Sequence, residues 1–211
     1  MHRLVRTQPE PRALKRAREE GLPDWEHFPS KDKKSVRDAL LKMQDYRCAY
    51  CERRVENKSN EFENRWDGHI EHFRKKAAGF FPELTFCWDN LFYSCMSRTS
   101  CGHYKDTCGL TREEHDLLID PCKDDPEKFL VFDDKGRVSP RTNLSDEDRI
   151  RATTTIEAFG LNSPQLVLDR KNLIDSFAWL KNYPPGQIRK YLDVIKDTPF
   201  ITTIHTVMGV K

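Results

Sequence analysis

The sequence predicts a mainly helical α+β protein built around a metal-stapled segment. Three observations carry that prediction. Apolar residues recur at helical spacing on both sides of the chain's middle, cysteine and histidine concentrate in residues 48–108, and a short strand–turn–strand pattern follows. Taken in order, Pro9, Pro11, Pro23 and Pro29 break the first stretch, leaving a short basic helix in ALKRAREEG that ends near Gly21. From Ser30, a plausible N-cap, SKDKKSVRDALLKMQDY carries an apolar stripe of Val36, Leu40, Leu41 and Met43, and this helix runs into Cys48. KFLVFDDKGRVSP reads as a hairpin turning at DDKG. Asp146 to Phe159 reads as a helix stopped by Gly160. Ser163 and Pro164 open a long helix to about Asn182, and Pro184 and Pro185 separate it from a shorter one reaching about Ile195. These elements divide the chain into an N-terminal arm and helix (1–47), a Cys/His core (48–108) and a hairpin and helical C-terminal region (109–211).

With 211 residues and 36 Lys plus Arg against 34 Asp plus Glu, the chain is polar and nearly neutral. No apolar run approaches the roughly 20 residues that span a bilayer, so no membrane role is expected. MHRLVRTQPEP lacks the apolar stretch of a secretory signal, which predicts a cytoplasmic protein and makes a disulfide framework a poor reading of seven cysteines. Charge is partitioned, with 21 basic and 17 acidic residues in 1–108, 6 and 12 in 111–148, and 9 and 5 in 149–211. A local rather than global nucleic-acid surface suits that partition, and ordinary solvated faces suit it equally, so charge alone does not decide.

Cys48-Ala-Tyr-Cys51 is a C-x2-C knuckle, and Cys95 with Cys101 supplies a second, wider pair. Four thiolates around one ion at roughly 2.3 Å make the tetrahedral structural zinc site. Cys108 is an alternative fourth ligand, while Cys87 and Cys122 read as buried free thiols. Between the pairs sits Gly68-His69-Ile70-Glu71-His72-Phe73. In a strand His69 and Glu71 share one face and His72 takes the other, so a bend or bulge is needed for Glu71 and His72 to serve one site. Carboxylate and imidazole beside a divalent ion suit phosphodiester hydrolysis: the ion stabilises phosphate charge and a free imidazole takes a proton from water.

The order of CAYCERRV, GHIEHFRKK, CWDNLFYSC and CGHYKD resembles the HNH endonuclease family, and within it the PtuB-type nuclease subunits of Septu and retron-associated anti-phage systems. LIDPCKDDPEKFLVFD and IEAFGLN extend the resemblance over roughly residues 30–170. It implies a ββα-metal core stapled by zinc, with flanking helices and a hairpin. It also implies a metal-dependent endonuclease that favours DNA, with RNA as the other substrate, and that works beside a PtuA-like ATPase. His72 takes the place of the general base, Glu71 that of a catalytic-metal ligand, and Asn90 that of the residue orienting the base. Family members often read C-H-x-x-K where this chain has Cys101-Gly102-His103-Tyr104-Lys105, so His103 becomes the second ligand to a Mg2+ or Mn2+ ion, with His69 the alternative. Lys105, Arg74, Lys75 and Lys76 are the implied phosphate contacts. A non-catalytic zinc-stapled nucleic-acid-binding or adaptor module is the rival reading.

Overall fold

The computed structural model describes residues 1–56, 67–195 and 197–210; part of the 48–108 segment therefore lies outside the described residues. The elements are α1 (Arg12–Glu19), α2 (Ser30–Met43), β1 (Gly68–His72), β2 (Leu91–Cys95), α3 (Cys101–Thr107), α4 (Arg112–Leu117), a single turn α5 (Pro126–Phe129), β3 (Leu130–Phe132), β4 (Val138–Pro140), α6 (Asp146–Ala158), α7 (Pro164–Ser176), α8 (Pro185–Val194) and α9 (Ile201–Val207). Two small antiparallel sheets result, β1 with β2 and β3 with β4. The structure is thus mostly helical α+β.

The helix stripe read in the sequence is the buried face of α2: Val36 and Leu40 are fully inaccessible. Ser30 is the first residue of that helix rather than its cap. Pro29 holds the capping position and no side chain caps the end, because proline's fixed φ already sets the chain for helix entry. The downstream hairpin forms with Leu130 opposite Pro140 and Phe132 opposite Val138. Its turn needs Gly136, whose φ is +81° and whose missing Cβ would lie 2.5 Å from the Val167 carbonyl on α7.

The long C-terminal helix is shorter than the sequence suggests. α7 ends at Ser176, and Ala178–Asn182 continues as a 3-10 turn. The β-branched stretch 199–208 contains α9, with Thr202, Thr203 and Ile204 buried, so packing stabilises a helix of weak intrinsic propensity. Most apolar side chains form one core, running from the N-terminal arm through α2 and β2 to α6 and the start of α7. A second cluster, centred on Leu180, Ile188, Leu192 and Ile204, lies under the C-terminal helices.

Glu52 joins the two regions. It follows the knuckle and is 1% exposed. One carboxylate oxygen accepts from the Met1 amino group at 2.7 Å, and the other accepts from Thr202 N at 3.1 Å and Thr202 Oγ1 at 2.8 Å. Burial pushes Glu52 up, but the Met1 ammonium, His2 and these hydrogen bonds outweigh it and hold the carboxyl at about 2.

Candidate metal centre and catalytic site

Cys48, Cys51, Cys95 and Cys101 meet with their sulfurs within 4.8 Å of one another, all four buried. Zinc–sulfur bonds of roughly 2.3 Å in a tetrahedron require sulfurs about 3.8 Å apart, and Cys51 Sγ stands 3.9 Å from Cys95 Sγ. The donor set therefore fits a zinc-type ion. The chain reaches this arrangement by specific backbone work. Gln44, just past α2, donates to the Arg47 and Tyr93 carbonyls at 2.7 and 2.8 Å and accepts from Tyr93 N at 2.7 Å. The knuckle is thereby sewn to β2. Ser94 Oγ accepts from Gly102 N at 3.0 Å, setting the start of α3 against the same strand. Cys101 adopts φ +62° to turn its sulfur inward, a strain of about 1–3 kcal/mol. Cys108 is exposed, outside the cluster, and Cys87 and Cys122 are half-buried rather than buried.

β1 pairs antiparallel with β2, with His69 opposite Ser94 and Glu71 opposite Phe92. No bulge interrupts the strand, and Glu71 and His72 find different partners. On one side, His69 Nε2 lies 3.3 Å from Glu71 Oε2, and the His69 ring stacks on His103 at 3.9 Å between centroids. Glu71 is 2% exposed and pairs with Lys105 Nζ at 2.9 Å. Burial raises its carboxyl, yet Lys105 and His69 leave it below the ordinary value. A Cβ at Gly102 would stand 2.4 Å from Glu71 Oε2, so a larger residue here would displace that buried, ion-paired carboxylate.

On the other side, His72 Nε2 lies 3.0 Å from the Thr85 carbonyl. A carbonyl only accepts, so Nε2 carries the proton and Nδ1 is the basic nitrogen. Burial first, and then Lys76 and Lys105, bring this imidazole down to about 3, so it is neutral at pH 7. Trp25 packs edge-on against the ring at 4.8 Å. His72, Trp25, Lys75, Lys76, Thr85 and Asp106 line one cavity of about 250 Å³. Asn90 does not touch His72. Its side-chain amide donates to the Arg74 and Leu84 carbonyls at 3.0 and 3.2 Å and accepts from Arg74 N at 2.7 Å. It thus clamps the loop that presents Thr85.

Among the implied phosphate contacts, Lys75 and Lys76 line the His72 cavity. Arg74 is paired with Asp116. Lys105 is elsewhere: its side chain is fully buried, donating to the His72 carbonyl at 2.9 Å and to Asp106 Oδ1 at 2.7 Å as well as pairing with Glu71. It is an internal cation, not a surface one. Sequence reasoning missed Gln44, Thr85 and Trp25. Thr85 acts through its backbone carbonyl, which leaves no mark in residue type, Gln44 acts through a side-chain amide indistinguishable in sequence from a surface one, and Trp25 lies outside the Cys/His segment.

As a second metal position, the Glu71 side offers an oxygen, two imidazoles and one orphan, His69 Nδ1, buried with no hydrogen-bond partner. Burial and His69 hold His103 below its ordinary value, so it too is a neutral donor. Among the described residues, however, the four cysteines alone bring three or more ligand atoms within 4.8 Å.

Fold and site together define a small α+β protein with a buried four-cysteine centre beside a histidine-bearing two-stranded sheet. No family model matches the chain. It is similar to a protein named as the candidate HNH endonuclease of retron Vc95 from Vibrio cholerae serotype O1 biovar El Tor, 28% identical over 70% of this chain and 67% of that one. It is also similar to the Septu protein PtuB of Bacillus mycoides, 29% identical over 64% of this chain and 50% of the relative, and to that of Bacillus thuringiensis, 32% identical over 45% and 32%. The chain is related to HNH endonucleases of the PtuB type. The matches cover half the length of the first PtuB protein and a third of the second.

Two outcomes test this geometry. Structural zinc contributes about 10–16 kcal/mol of apparent binding energy in small zinc domains, so purified protein should carry about one zinc per chain. Cys48→Ser and Cys95→Ser should lower both zinc content and melting temperature; elemental analysis and calorimetry read both. Lys105→Ala strands a buried carboxylate and should cost about 3–5 kcal/mol in urea unfolding, whereas a surface phosphate contact would leave stability unchanged.

Proposed function

We propose that the chain is a metal-dependent HNH endonuclease, the nuclease subunit of an anti-phage complex, hydrolysing phosphodiester bonds with DNA favoured over RNA. The observation that carries this is His72: a neutral imidazole with Nε2–H anchored on Thr85, which leaves Nδ1 as the basic nitrogen in a cavity edged by Lys75 and Lys76. The two lysines draw in the diester's charge. Held near 3, the imidazole is a weak base until phosphate arrives, because a negative charge in the cavity offsets Lys76 and Lys105 and raises it. Nδ1 then takes the proton of the water that attacks phosphorus. Asn90 keeps the loop carrying Thr85 in register with β1, and so keeps the ring oriented.

Glu71 and His103, with His69 in reserve, would hold a Mg2+ or Mn2+ ion, which supplies charge neutralisation at the scissile phosphate and the departing oxygen. The buried cysteines would hold zinc as a staple only. The chemistry is assigned to residues 48–108, with 1–47 and 109–211 as flanking regions and a PtuA-like ATPase as partner. Three features favour the non-catalytic adaptor reading instead: β1 runs without a bulge, so Glu71 and His72 face opposite sides of the sheet; Lys105 already neutralises Glu71; and Gly102 offers no ligand.

Cleavage assays on duplex DNA, single-stranded DNA and tRNA, with and without the neighbouring ATPase, separate the readings. His72→Ala should lower cleavage by about 10²–10⁴ while zinc and melting temperature stay as in wild type. His103→Ala should raise the Mg2+ or Mn2+ concentration for half activity; an unchanged requirement would move the ligand to His69. Cleavage by wild type that survives His72→Ala intact would remove the base assignment, and no cleavage under any condition would leave the adaptor. Co-expression with the ATPase should yield one complex on size exclusion, and separate elution would sink the partnership.

A further inference from the structure

Outside the candidate site, the largest unexplained feature is a group of exposed aromatic rings on the C-terminal helices. Trp179 is 45% exposed, Tyr183 48% and Tyr191 37%. The rings meet edge to face, Trp179 with Tyr183 at 5.7 Å and with Tyr191 at 5.1 Å, and Phe177 adjoins Tyr191 at 6.4 Å. They stand on a firm base. Leu180 of the 3-10 turn and Ile188 and Leu192 of α8 are buried in the second apolar cluster, and Tyr191, on the flank of that face, is left partly in water.

Large aromatics left half in water cost stability unless they have a use. The charges around them indicate which. Between residues 177 and 195 the sequence holds Lys181, Arg189 and Lys190 against a single acid, Asp193. All three cations are exposed and have no ion-pair partner among the described residues. Elsewhere on the surface basic residues are commonly matched, as in Arg151 with Asp124 and Lys171 with Asp175. Flat π surfaces on the same turn and helix as unmatched cations complement a chain of bases joined by phosphates. A duplex already stacks its bases internally, so free base faces come from an unpaired strand.

We infer that Trp179, Tyr183 and Tyr191, with Lys181, Arg189 and Lys190, form a binding surface for single-stranded nucleic acid, separate from the cavity around His72. The aromatics stack on bases and the cations meet the phosphates. This surface does not depend on the chain being a nuclease: a strand held here serves a cutting subunit or an adaptor equally.

Fluorescence anisotropy with fluorescein-labelled dT30 and with the matching dT30·dA30 duplex tests the inference, using the full chain bearing His72→Ala so that the probe stays intact. Wild-type surface should bind dT30 more tightly than duplex. Trp179→Ala should weaken dT30 binding about tenfold, within the range of one lost base–aromatic stack, and Trp179→Phe should recover most of it. The paired change Arg189→Glu with Lys190→Glu, on the exposed side of α8, should weaken binding and flatten its salt dependence. Because that pair leaves the buried cluster untouched, it keeps the test valid if Trp179→Ala unfolds. Equal affinity for the two probes, no dT30 binding at all, or unchanged binding in both variants would overturn the inference. So would variants that keep dT30 binding but lose co-elution with the ATPase, which would make the surface a protein-docking face.

Discussion

The convergence of four buried cysteine sulfurs is the constraint on which the rest of this structure depends. Bridged by an ion, it would fasten three pieces of chain that Gln44 and Ser94 already hydrogen-bond together: the knuckle after α2, the end of β2 and the first residue of α3. A two-stranded sheet of five-residue strands is marginal on its own, and β1–β2 is such a sheet. An ion holding Cys95 at the end of β2 and Cys101 at the start of α3 would anchor that sheet and aim α3 across it. Backbone strain is found in and beside the cluster. Cys101 and Glu52, one in the cluster and one next to it, both have positive φ without being glycine, conformations that persist only where surrounding bonds over-determine them.

Once α3 is aimed, Lys105 follows. Its ammonium reaches through the interior to Glu71 and to the carbonyl of His72, so one buried cation joins the two residues that β1 sends to different partners. Pairing of this kind is weak evidence for stability, because removing two charges from water offsets much of their attraction. Its consequence is geometric: the carboxylate cannot rotate away, and the strand end bearing His72 cannot peel from α3. The absence of a side chain at Gly102 belongs to the same arrangement, since Glu71 fills the space a Cβ would need.

The legibility of this protein in its sequence was uneven, and the reasons are physical. α2, the hairpin at DDKG and α6 were readable because spacing, turn residues and a stopping glycine agree locally. The cysteine cluster was readable because thiol spacing is a strong signal. α9 was not, because its β-branched residues carry weak helix propensity and burial against the core decided the matter. Lys105 looked like a phosphate-binding residue because nothing in a sequence distinguishes a buried lysine from an exposed one before its carboxylate partner is known. The separate surroundings of Glu71 and His72 were visible in outline from strand alternation, but their partners, Lys105 and the Thr85 carbonyl, come from segments 13 to 34 residues away.

Glu52 shows how the two halves of the molecule are kept in one register. Its backbone sits at the end of the knuckle, while its carboxylate is shared between the Met1 amino group and the first turn of α9. α9 in turn packs Ile204 into the cluster that underlies Trp179 and Tyr191. A shift of the knuckle is therefore felt at α9 through a hydrogen-bonded carboxylate rather than through a deformable apolar contact. Because that carboxyl is held at about 2 in the folded state, against an ordinary 4.5, it remains ionised down to strongly acidic pH, and its contribution fades only as pH falls through that interval. The joint between the cysteine cluster and α9 is thus electrostatic and buried.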